Sequence, residues 1–336
     1  MSVDRPKYWP AIDMVKAIVL ICVLTEHLIH LPSKDSIIRF TIGLFHMPVF
    51  IGISGFLFGC RRLDGKISQM LPHIFKRLLV PWLIATCVYY FIHLTNDGFS
   101  VVALLKLLLY PYYHLWYIPA IIGYMLLTWG LWQIFPRKRQ PFIALLSIAL
   151  LVSILSQWEC LRNVTSSPLY ARLYYMIDNE FKFDNYVFFV LGVWLRYLYD
   201  NGKLEMLAFK GRALMLAIVF AVSFIPFFGP YDNIWKICFY LFNFIALPII
   251  IQYCTTSWEH QVKFLVFIGK YSLPIYLYHV LAIQLSILLF KSGPVYYLFS
   301  YLFFALLCLM VFYLKKISII NRYIFGSTST TLLKGA

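Results

Sequence analysis

The first apolar segment of the chain contains five side chains that can ionise or transfer protons. They lie near residues 11–31 and are Asp13, Lys16, Glu26, His27 and His30. An ionisable group within an apolar segment is energetically costly, so each is a candidate for function. Asp13 and Lys16 are three residues apart and can form an ion pair on a helix.

Lys16 and His27 are spaced so that they share one face of a helix. Eleven residues at 100° each return to within about 20° of the starting direction, and the axial rise is about 16 Å. One face would therefore carry a cation near one end and an imidazole much deeper. Glu26 is adjacent to His27 in sequence, so we expect it to face elsewhere.

This arrangement suits acyl transfer from a coenzyme A thioester. Cations can hold the phosphate-bearing head, and the long pantetheine arm can run along the helix to the imidazole. Histidine has an ordinary pKa of about 6.5, so it can take a proton from an acceptor hydroxyl near neutral pH. The alternative is structural, with Lys16 reaching the membrane surface and His27 packing inside the bundle.

A second basic group lies just before the third apolar segment. It comprises His73, Lys76 and Arg77, and Arg61 and Arg62 are close to it in sequence. These side chains could hold coenzyme phosphates. They could equally be the ordinary positive charges that flank membrane spans on the cytoplasmic side.

Three further polar groups occur next to or within later apolar segments. His46 precedes Pro48 in the second segment, and an aromatic run carries His114 and Trp116. This aromatic run is either a belt at the membrane interface or a stacking surface for a sugar ring. In the ninth segment Ser272 and His279 are seven residues apart, and Tyr276 lies beside the face they share. We take His46, His114, Trp116, Tyr276 and His279 as acceptor-side candidates and Ser272 as a donor-side candidate.

The elements that must position these residues are membrane helices. Of the 336 residues 62% are hydrophobic and 13% charged, whereas globular domains carry about 25% charged residues. We expect an all-α integral membrane protein with a bundle of about ten transmembrane helices. They are placed near 11–31, 41–60, 73–94, 113–135, 141–157, 183–200, 212–228, 232–253, 271–290 and 295–314. Residues 1–325 would form a single transmembrane domain and residues 326–336 a disordered tail.

The distribution of Lys and Arg predicts the orientation. With the N-terminus inside, the inner segments carry 20 of these residues and the outer segments carry 8. Positive charge is enriched in cytoplasmic segments, so both termini are expected in the cytoplasm.

Several function classes are disfavoured by the composition. The net charge of +15 flanks the apolar segments instead of forming one basic stripe, so no nucleic-acid partner is expected. The seven cysteines form neither a disulfide framework nor a metal-ligand spacing, so no metal is expected.

The longest outer connector, at about 158–184, is either a solvated loop or a lid or acceptor site. The oligomeric state is not predictable.

Five sequence pieces together resemble the acyltransferase 3 family of integral membrane acyltransferases, especially its fucose 4-O-acetylase-like branch. They span residues 12–279 in the family's order. The pieces are Ile12-Asp13 through Lys16-Ala17 with His27; Phe45-His46-Met47-Pro48-Val49-Phe50 with Ser54-Gly55; Lys76-Arg77-Leu78-Leu79-Val80-Pro81; His114-Leu115-Trp116-Tyr117; and Ser272-Leu273 with Ile275-Tyr276-Leu277 and His279.

The resemblance implies transfer of an acyl group, usually acetyl, from cytoplasmic acetyl-CoA to a glycan or another outward-facing acceptor. We therefore expect a multi-pass O-acetyltransferase of the bacterial inner membrane, acting on a cell-surface polysaccharide or its lipid-linked precursor. His27 would be the essential base, with Asp13 and Lys16 positioning it or the donor. Arg77, with Lys76, Arg61 and Arg62, would bind the coenzyme phosphates.

Two positions depart from the family pattern. Lys16 stands where arginine is usual, although the fucose acetylase-like branch often has lysine there, and Glu26 stands where glycine commonly precedes the histidine. A transporter or flippase for a glycan intermediate is the alternative function, because polar residues and broken helices within spans also suit transport. We find no internal two-fold repeat of the spans to support it.

Overall fold

The chain folds into a bundle of helices. The computed structural model describes residues 8–92, 99–109, 111–112, 114–135, 142–156, 181–208, 211–229, 232–256 and 260–327. Within these ranges no strand occurs. The main helices, named in chain order, are α1 (Pro10–Leu28), α2 (Ile37–Phe58), α3 (Ile67–Ile92), α4 (Val101–Leu109), α5 (Tyr117–Ile134), α6 (Phe142–Ser156), α7 (Tyr186–Asp200), α8 (Arg212–Val222), α9 (Asp232–Thr256), α10 (Lys263–Lys270), α11 (Ser272–Phe290) and α12 (Pro294–Leu314).

Six of the described helices are long and apolar enough to cross a membrane. They are α2, α3, α5, α9, α11 and α12. The chain is therefore an all-helical, multi-pass membrane protein, as predicted. Each of the ten predicted segments contains a helix. The other four of these helices are not among the six for different reasons. Helix α1 is long enough but carries Asp13, Lys16 and Glu26. Helices α6, α7 and α8 are shorter than the roughly 20 residues that span a bilayer. The number of crossings and the orientation of the termini remain predictions.

The centre of the bundle is the packing of α2 against α7. The backbones approach so closely that a Cβ atom at Gly55 would overlap the carbonyl oxygen of Phe189. A Cβ atom at Gly192 would likewise overlap the carbonyl oxygen of Gly52. Small residues allow such contacts between membrane helices, where apolar burial alone gives little driving force. This contact fixes α2, which carries His46 and Ser54.

Helix α1 is held between α2, α10 and α11. Helix α10 was not predicted, because its eight residues were taken as part of a connector. Its Gly269 packs directly against the backbone carbonyl of Asp13. Helix α4 was missed for the same reason, since it lies between two predicted spans. The contacts of α1 with α10 and α11 place its polar residues inside the bundle, as their cost in lipid requires.

The surface of the bundle is apolar where the helices face outward. Helix α12 exposes a series of large apolar side chains, among them Leu298, Leu306, Leu309 and Met310. A surface of this kind suits contact with lipid. The connector predicted at about 158–184 is described only from residue 181 onward, and most of the tail predicted at 326–336 lies outside the described residues.

Candidate active site

A first cavity, of about 190 Å³, lies beside the N-terminal half of α1. We call it the Lys16 cavity. Its polar lining consists of Lys16, Ser54, Arg62, His73, Arg77 and Ser272, and the remainder is apolar or aromatic. None of the described residues that line it is acidic. The cavity therefore offers cations and hydroxyl groups on an apolar floor, which suits an anionic ligand with a long apolar or amide-bearing arm.

Lys16 is held at the edge of this cavity by Asp13. The Lys16 Nζ atom lies 2.9 Å from the Asp13 Oδ1 atom, which confirms the ion pair expected from their spacing. The hydroxyl of Tyr8 donates to the other carboxylate oxygen at 2.8 Å. Burial, followed by the Asp13 carboxylate, raises the pKa of Tyr8 well above its ordinary value, so it stays a neutral donor. Asp13 thus orients the lysine and does not contact His27.

Two arginines complete the cationic wall. Arg62 follows α2, and Arg77 lies in a π-helical segment of α3, Phe75–Leu79. Such segments often occur at functional sites because they redirect side chains. Burial, then the charges of Arg77 and Arg196, lowers the pKa of Arg62. A bound anion would relieve that repulsion.

An adjoining hollow of about 370 Å³ extends the basic surface. Its lining includes His73, Lys76, Arg77 and Arg322. His73 and Arg77 belong to both spaces. The structure thus brings Arg62, Arg77 and Ser272 together at one cavity, with Lys76 next to it, while the side chain of Arg61 is outside the described part of the chain. Arg322 was missed because it is remote in sequence.

A second cavity, of about 700 Å³, lies at the C-terminal end of α1. We call it the His27 cavity. Its lining includes Glu26, His27, His46, His114, Trp116 and Tyr276. Glu26 and His27 both line this space, but their side chains have different partners, since Glu26 pairs with His46 and His27 stacks on His279. Helix α1 ends one residue after His27, and the cavity is wide enough at that end to reach both side chains.

His27, which is partly buried, belongs to a cluster of three imidazoles with the buried His114 and His279. Its ring stacks on that of His279 with centroids 5.3 Å apart and an interplanar angle of 18°. His279 in turn meets His114 edge-on, with centroids 5.3 Å apart. His279 is fully buried and is not among the residues that line the cavity. It therefore supports the ring of His27 rather than meeting a ligand.

The tautomers of His114 and His279 follow from their hydrogen bonds. A backbone carbonyl can only accept, so the ring nitrogen facing it must carry the proton. In His279, Nδ1 lies 2.6 Å from the carbonyl of Tyr276, and in His114, Nε2 lies 3.2 Å from that of Leu277. The other ring nitrogen of each has no hydrogen-bond partner among the described residues. Both rings fit the neutral form. His27 is the member of the cluster that lines the cavity from α1.

Glu26 and His46, which also line this cavity, share a proton. The Nδ1 atom of His46 donates to the carbonyl of Ile42 at 2.8 Å. Its Nε2 atom lies 3.0 Å from Glu26 Oε2, so one proton must lie between them. The Nε atom of Arg39 is 3.7 Å from the other carboxylate oxygen. Glu26 therefore pairs with a histidine that only tertiary packing brings to it, which the sequence did not predict.

The start of α7 adds a further polar wall to the His27 cavity. Asn185 lines it and immediately precedes the helix, yet its side chain makes no capping hydrogen bond. The hydroxyl of Ser153 accepts from the backbone N–H of Val187 at 3.1 Å and takes over that role. Trp235 of α9 faces the same space. Asn185 and Trp235 were missed because neither is ionisable, so neither stands out within its predicted segment.

Tyr276 is the one residue common to the two cavities among those described as lining them. The spacing of Lys16 and His27 suggested a single path, but the structure divides it into two spaces that meet at this ring. His30, by contrast, is exposed and stacks on Tyr296 with centroids 5.6 Å apart.

Comparison with protein families gives a match over residues 9–314 to the acyltransferase 3 family, whose model is described as an acyltransferase domain. Neither curated proteins nor solved structures give a match. The matched range contains every residue described as lining the Lys16 and His27 cavities. Because it covers most of the chain, the protein belongs to the acyltransferase 3 family of membrane acyltransferases.

Proposed function

We propose that the protein transfers an acetyl group from cytoplasmic acetyl-CoA to a hydroxyl of a cell-surface glycan or its lipid-linked precursor. The observation that carries this proposal is the pair of cavities that meet at Tyr276. One is cationic and lacks acidic lining residues among those described, and the other contains His27. A reaction that joins a charged donor to a neutral hydroxyl needs both environments side by side.

The donor side of the proposal is the Lys16 cavity. Arg62, Arg77 and Lys16 would bind the phosphates of acetyl-CoA, since guanidinium and ammonium groups form strong charge-assisted hydrogen bonds with phosphate oxygens. The adjoining basic hollow, with Lys76 and Arg322, gives room for a large nucleotide head. The apolar and aromatic remainder of the Lys16 cavity would take the pantetheine arm.

The acceptor side is the His27 cavity. Its aromatic side chains, Trp116 and Trp235, offer flat faces of the kind that pack on sugar rings, and Asn185 and Glu26 offer polar contacts. A cavity of about 700 Å³ has room for a glycan unit. With the N-terminus in the cytoplasm, this cavity would open toward the outer side of a bacterial inner membrane.

The chemistry follows from these positions. His27 takes the proton of the acceptor hydroxyl while its oxygen attacks the thioester carbonyl carbon. The new C–O bond forms, the C–S bond breaks, and the coenzyme leaves as a thiolate. The imidazolium of His27 returns the proton to that sulfur, so the enzyme regains its starting state. His279, stacked on His27, keeps the ring oriented during both transfers.

Two measurements test the proposal. Detergent-solubilised protein should bind a non-hydrolysable acetyl-CoA analogue, and surface glycan from a deletion strain should lack an acetyl group that mass spectrometry finds in the parent strain. Absence of donor binding, combined with loss of export of a glycan intermediate, would replace the acyltransferase by the transporter alternative.

A further inference from the structure

We infer that Tyr276 determines which acyl groups the enzyme accepts, by closing the end of the donor cavity against chains longer than acetyl. This inference rests on the proposed function, because it assigns the Lys16 cavity to the acyl donor. The fold alone does not specify the size of the transferred acyl group, whereas a wall at Tyr276 would.

The position of Tyr276 along α11 is the first argument. Ser272, four residues earlier, lines the Lys16 cavity, and His279, three residues later, stacks on His27. Four and three residues correspond to axial distances of about 6 Å and about 4.5 Å. Tyr276 therefore lies between the donor cavity and the imidazole that must receive the acceptor's proton. Because Tyr276 borders both cavities, a thioester carbonyl placed beside its ring could be attacked from the His27 cavity, while the acyl chain would end against the ring.

The second argument is that the ring is fixed. Tyr276 is only 3% exposed, and its hydroxyl donates to the backbone carbonyl of His114. The ring of His114 donates in return to the carbonyl of Leu277. This reciprocal pair joins α11 to the segment before α5, so a shift of the Tyr276 ring would break its own buried hydrogen bond, and a shift of α11 would break both. Breaking such bonds without replacing them is unfavourable.

The neighbours of Tyr276 are fixed too. Tyr117 packs edge-on against its ring with centroids 5.3 Å apart, and Phe50 packs at 6.5 Å. Ser54 gives its proton to the carbonyl of Phe50, so the hydroxyl of Tyr117 must be the donor in their 2.7 Å contact. Phe50, Tyr117 and Tyr276 all line the Lys16 cavity. Together they form a rigid aromatic wall.

A rigid wall sets a steep limit on chain length. The wall cannot yield without breaking its hydrogen bonds, and overfilling a packed site is destabilising. A difference of one methylene in a tight apolar pocket typically changes kcat/KM by 10- to 200-fold. We therefore expect wild-type enzyme to use acetyl-CoA at least 100-fold more efficiently than butyryl-CoA.

The test uses purified, detergent-solubilised full-length protein and a series of acetyl-, propionyl-, butyryl- and hexanoyl-CoA. Release of free coenzyme thiol reports turnover, whether the acyl group goes to an added acceptor or to water. Tyr276→Ala should reduce the preference for acetyl over butyryl to tenfold or less. Tyr276→Leu, which retains more of the wall's volume, should give an intermediate preference and serves if the alanine variant does not fold.

Two variants separate the ring from other effects. Tyr276→Phe keeps the ring but loses the hydrogen bond that anchors it, so it should retain more of the acetyl preference than Tyr276→Ala does. Tyr278→Ala removes a buried tyrosine from the same helix that lines neither cavity, and its chain-length preference should match wild type.

The outcomes decide between distinct conclusions. An unchanged acetyl preference in both Tyr276→Ala and Tyr276→Leu would overturn the inference, as would a Tyr276→Phe variant as permissive as the alanine variant. Equal use of all four thioesters by wild type would also overturn it. Failure of wild type to turn over any of the four would instead remove the proposed function, and this inference with it.

Discussion

The assignment of the base depends on the difference between His27 and the other histidines. His279 is fully buried, and the Nδ1 atom of its ring is committed to the carbonyl of Tyr276. His46 shares its proton with Glu26. His114 is almost fully buried and donates to Leu277. His27 lines the larger cavity from α1 and is backed by the ring of His279, so it can meet a ligand there while its ring is held in place.

We expect His27→Ala to insert normally and to abolish acetyl transfer. A positioned general base contributes about 10²- to 10⁴-fold in rate, more than a modest structural change would remove. His30→Ala is the matched control, because His30 lies three residues further along the chain, is exposed and stacks on Tyr296. The measurement is transfer of radiolabelled acetyl from acetyl-CoA in membranes with equal amounts of each variant.

Near-normal transfer by His27→Ala, with loss in the His46, His114 or His279 variants, would move the base to another residue. Normal transfer by all of these variants would exclude every histidine of the His27 cavity and its cluster as the base. Loss in His30→Ala alone would place the reacting hydroxyl outside the His27 cavity.

A second prediction concerns the cations of the Lys16 cavity. Lys16→Ala or Arg77→Ala should raise the KM for acetyl-CoA by roughly ten- to a hundred-fold and the KM for the acceptor much less. A hydrogen bond to a charged group is worth about 1.5–3 kcal/mol, which corresponds to that range. Lys16→Arg should retain more activity than Lys16→Ala, since the positive charge survives.

Lys203→Ala is the control for general loss of positive charge. Lys203 is exposed in the turn after α7 and lines neither cavity. Its variant should keep the wild-type KM for acetyl-CoA. An unchanged KM in folded Lys16→Ala and Arg77→Ala proteins would mean that phosphate is bound elsewhere.

At the scale of elements, the contact between α2 and α7 is the most specific feature of the packing. Gly55 and Gly192 each meet a backbone oxygen of the partner helix, which cannot move without moving the helix. Gly192→Ala should therefore lower the thermal midpoint of the solubilised protein substantially. Gly130→Ala in α5 is the matched control, because no atom lies within 4 Å of the position its Cβ would take.

The control should be neutral or slightly stabilising, since alanine favours a helix over glycine by about 1 kcal/mol. Scanning fluorimetry of the two variants and the wild type gives the comparison. Equal midpoints for Gly192→Ala and Gly130→Ala would show that the two helices can separate at little cost, and the packing described for α2 and α7 would be wrong.

The elements also show how far the sequence predicts the fold and the site. Apolar runs located each main segment, and the polar residues of α1 were recognised because such residues are rare in spans. The contacts were not predictable. Glu26 meets His46 from α2, and His279 reaches His27 from α11, only after three helices have packed. The short helices α4 and α10 were not predicted, because they lie between longer apolar runs and have no distinct hydrophobic pattern of their own.

At the scale of the whole molecule, the two cavities lie at opposite ends of the polar stretch of α1. Arg62, Arg77 and Lys16 lie toward the end at which α1 begins, and Glu26 and His27 lie at the end at which it stops. A donor made in the cytoplasm and an acceptor presented outside would then meet beside Tyr276, which lines both cavities. The direction of transfer thus depends on the orientation of the bundle.

We expect the end that carries the Lys16 cavity to face the cytoplasm, because Lys and Arg are enriched 20 to 8 in the segments on that side. In a background lacking the seven native cysteines, Lys203→Cys should react with an impermeant maleimide only after the membrane is opened, and Asp35→Cys should react in intact cells. Both positions are exposed. The cysteine-free parent controls for background labelling, and Leu195→Cys, buried within α7, should stay unlabelled throughout. Reversed labelling at both exposed positions would place the cationic cavity outside. A cytoplasmic thioester could then no longer reach it, and the direction of transfer proposed here would have to be abandoned.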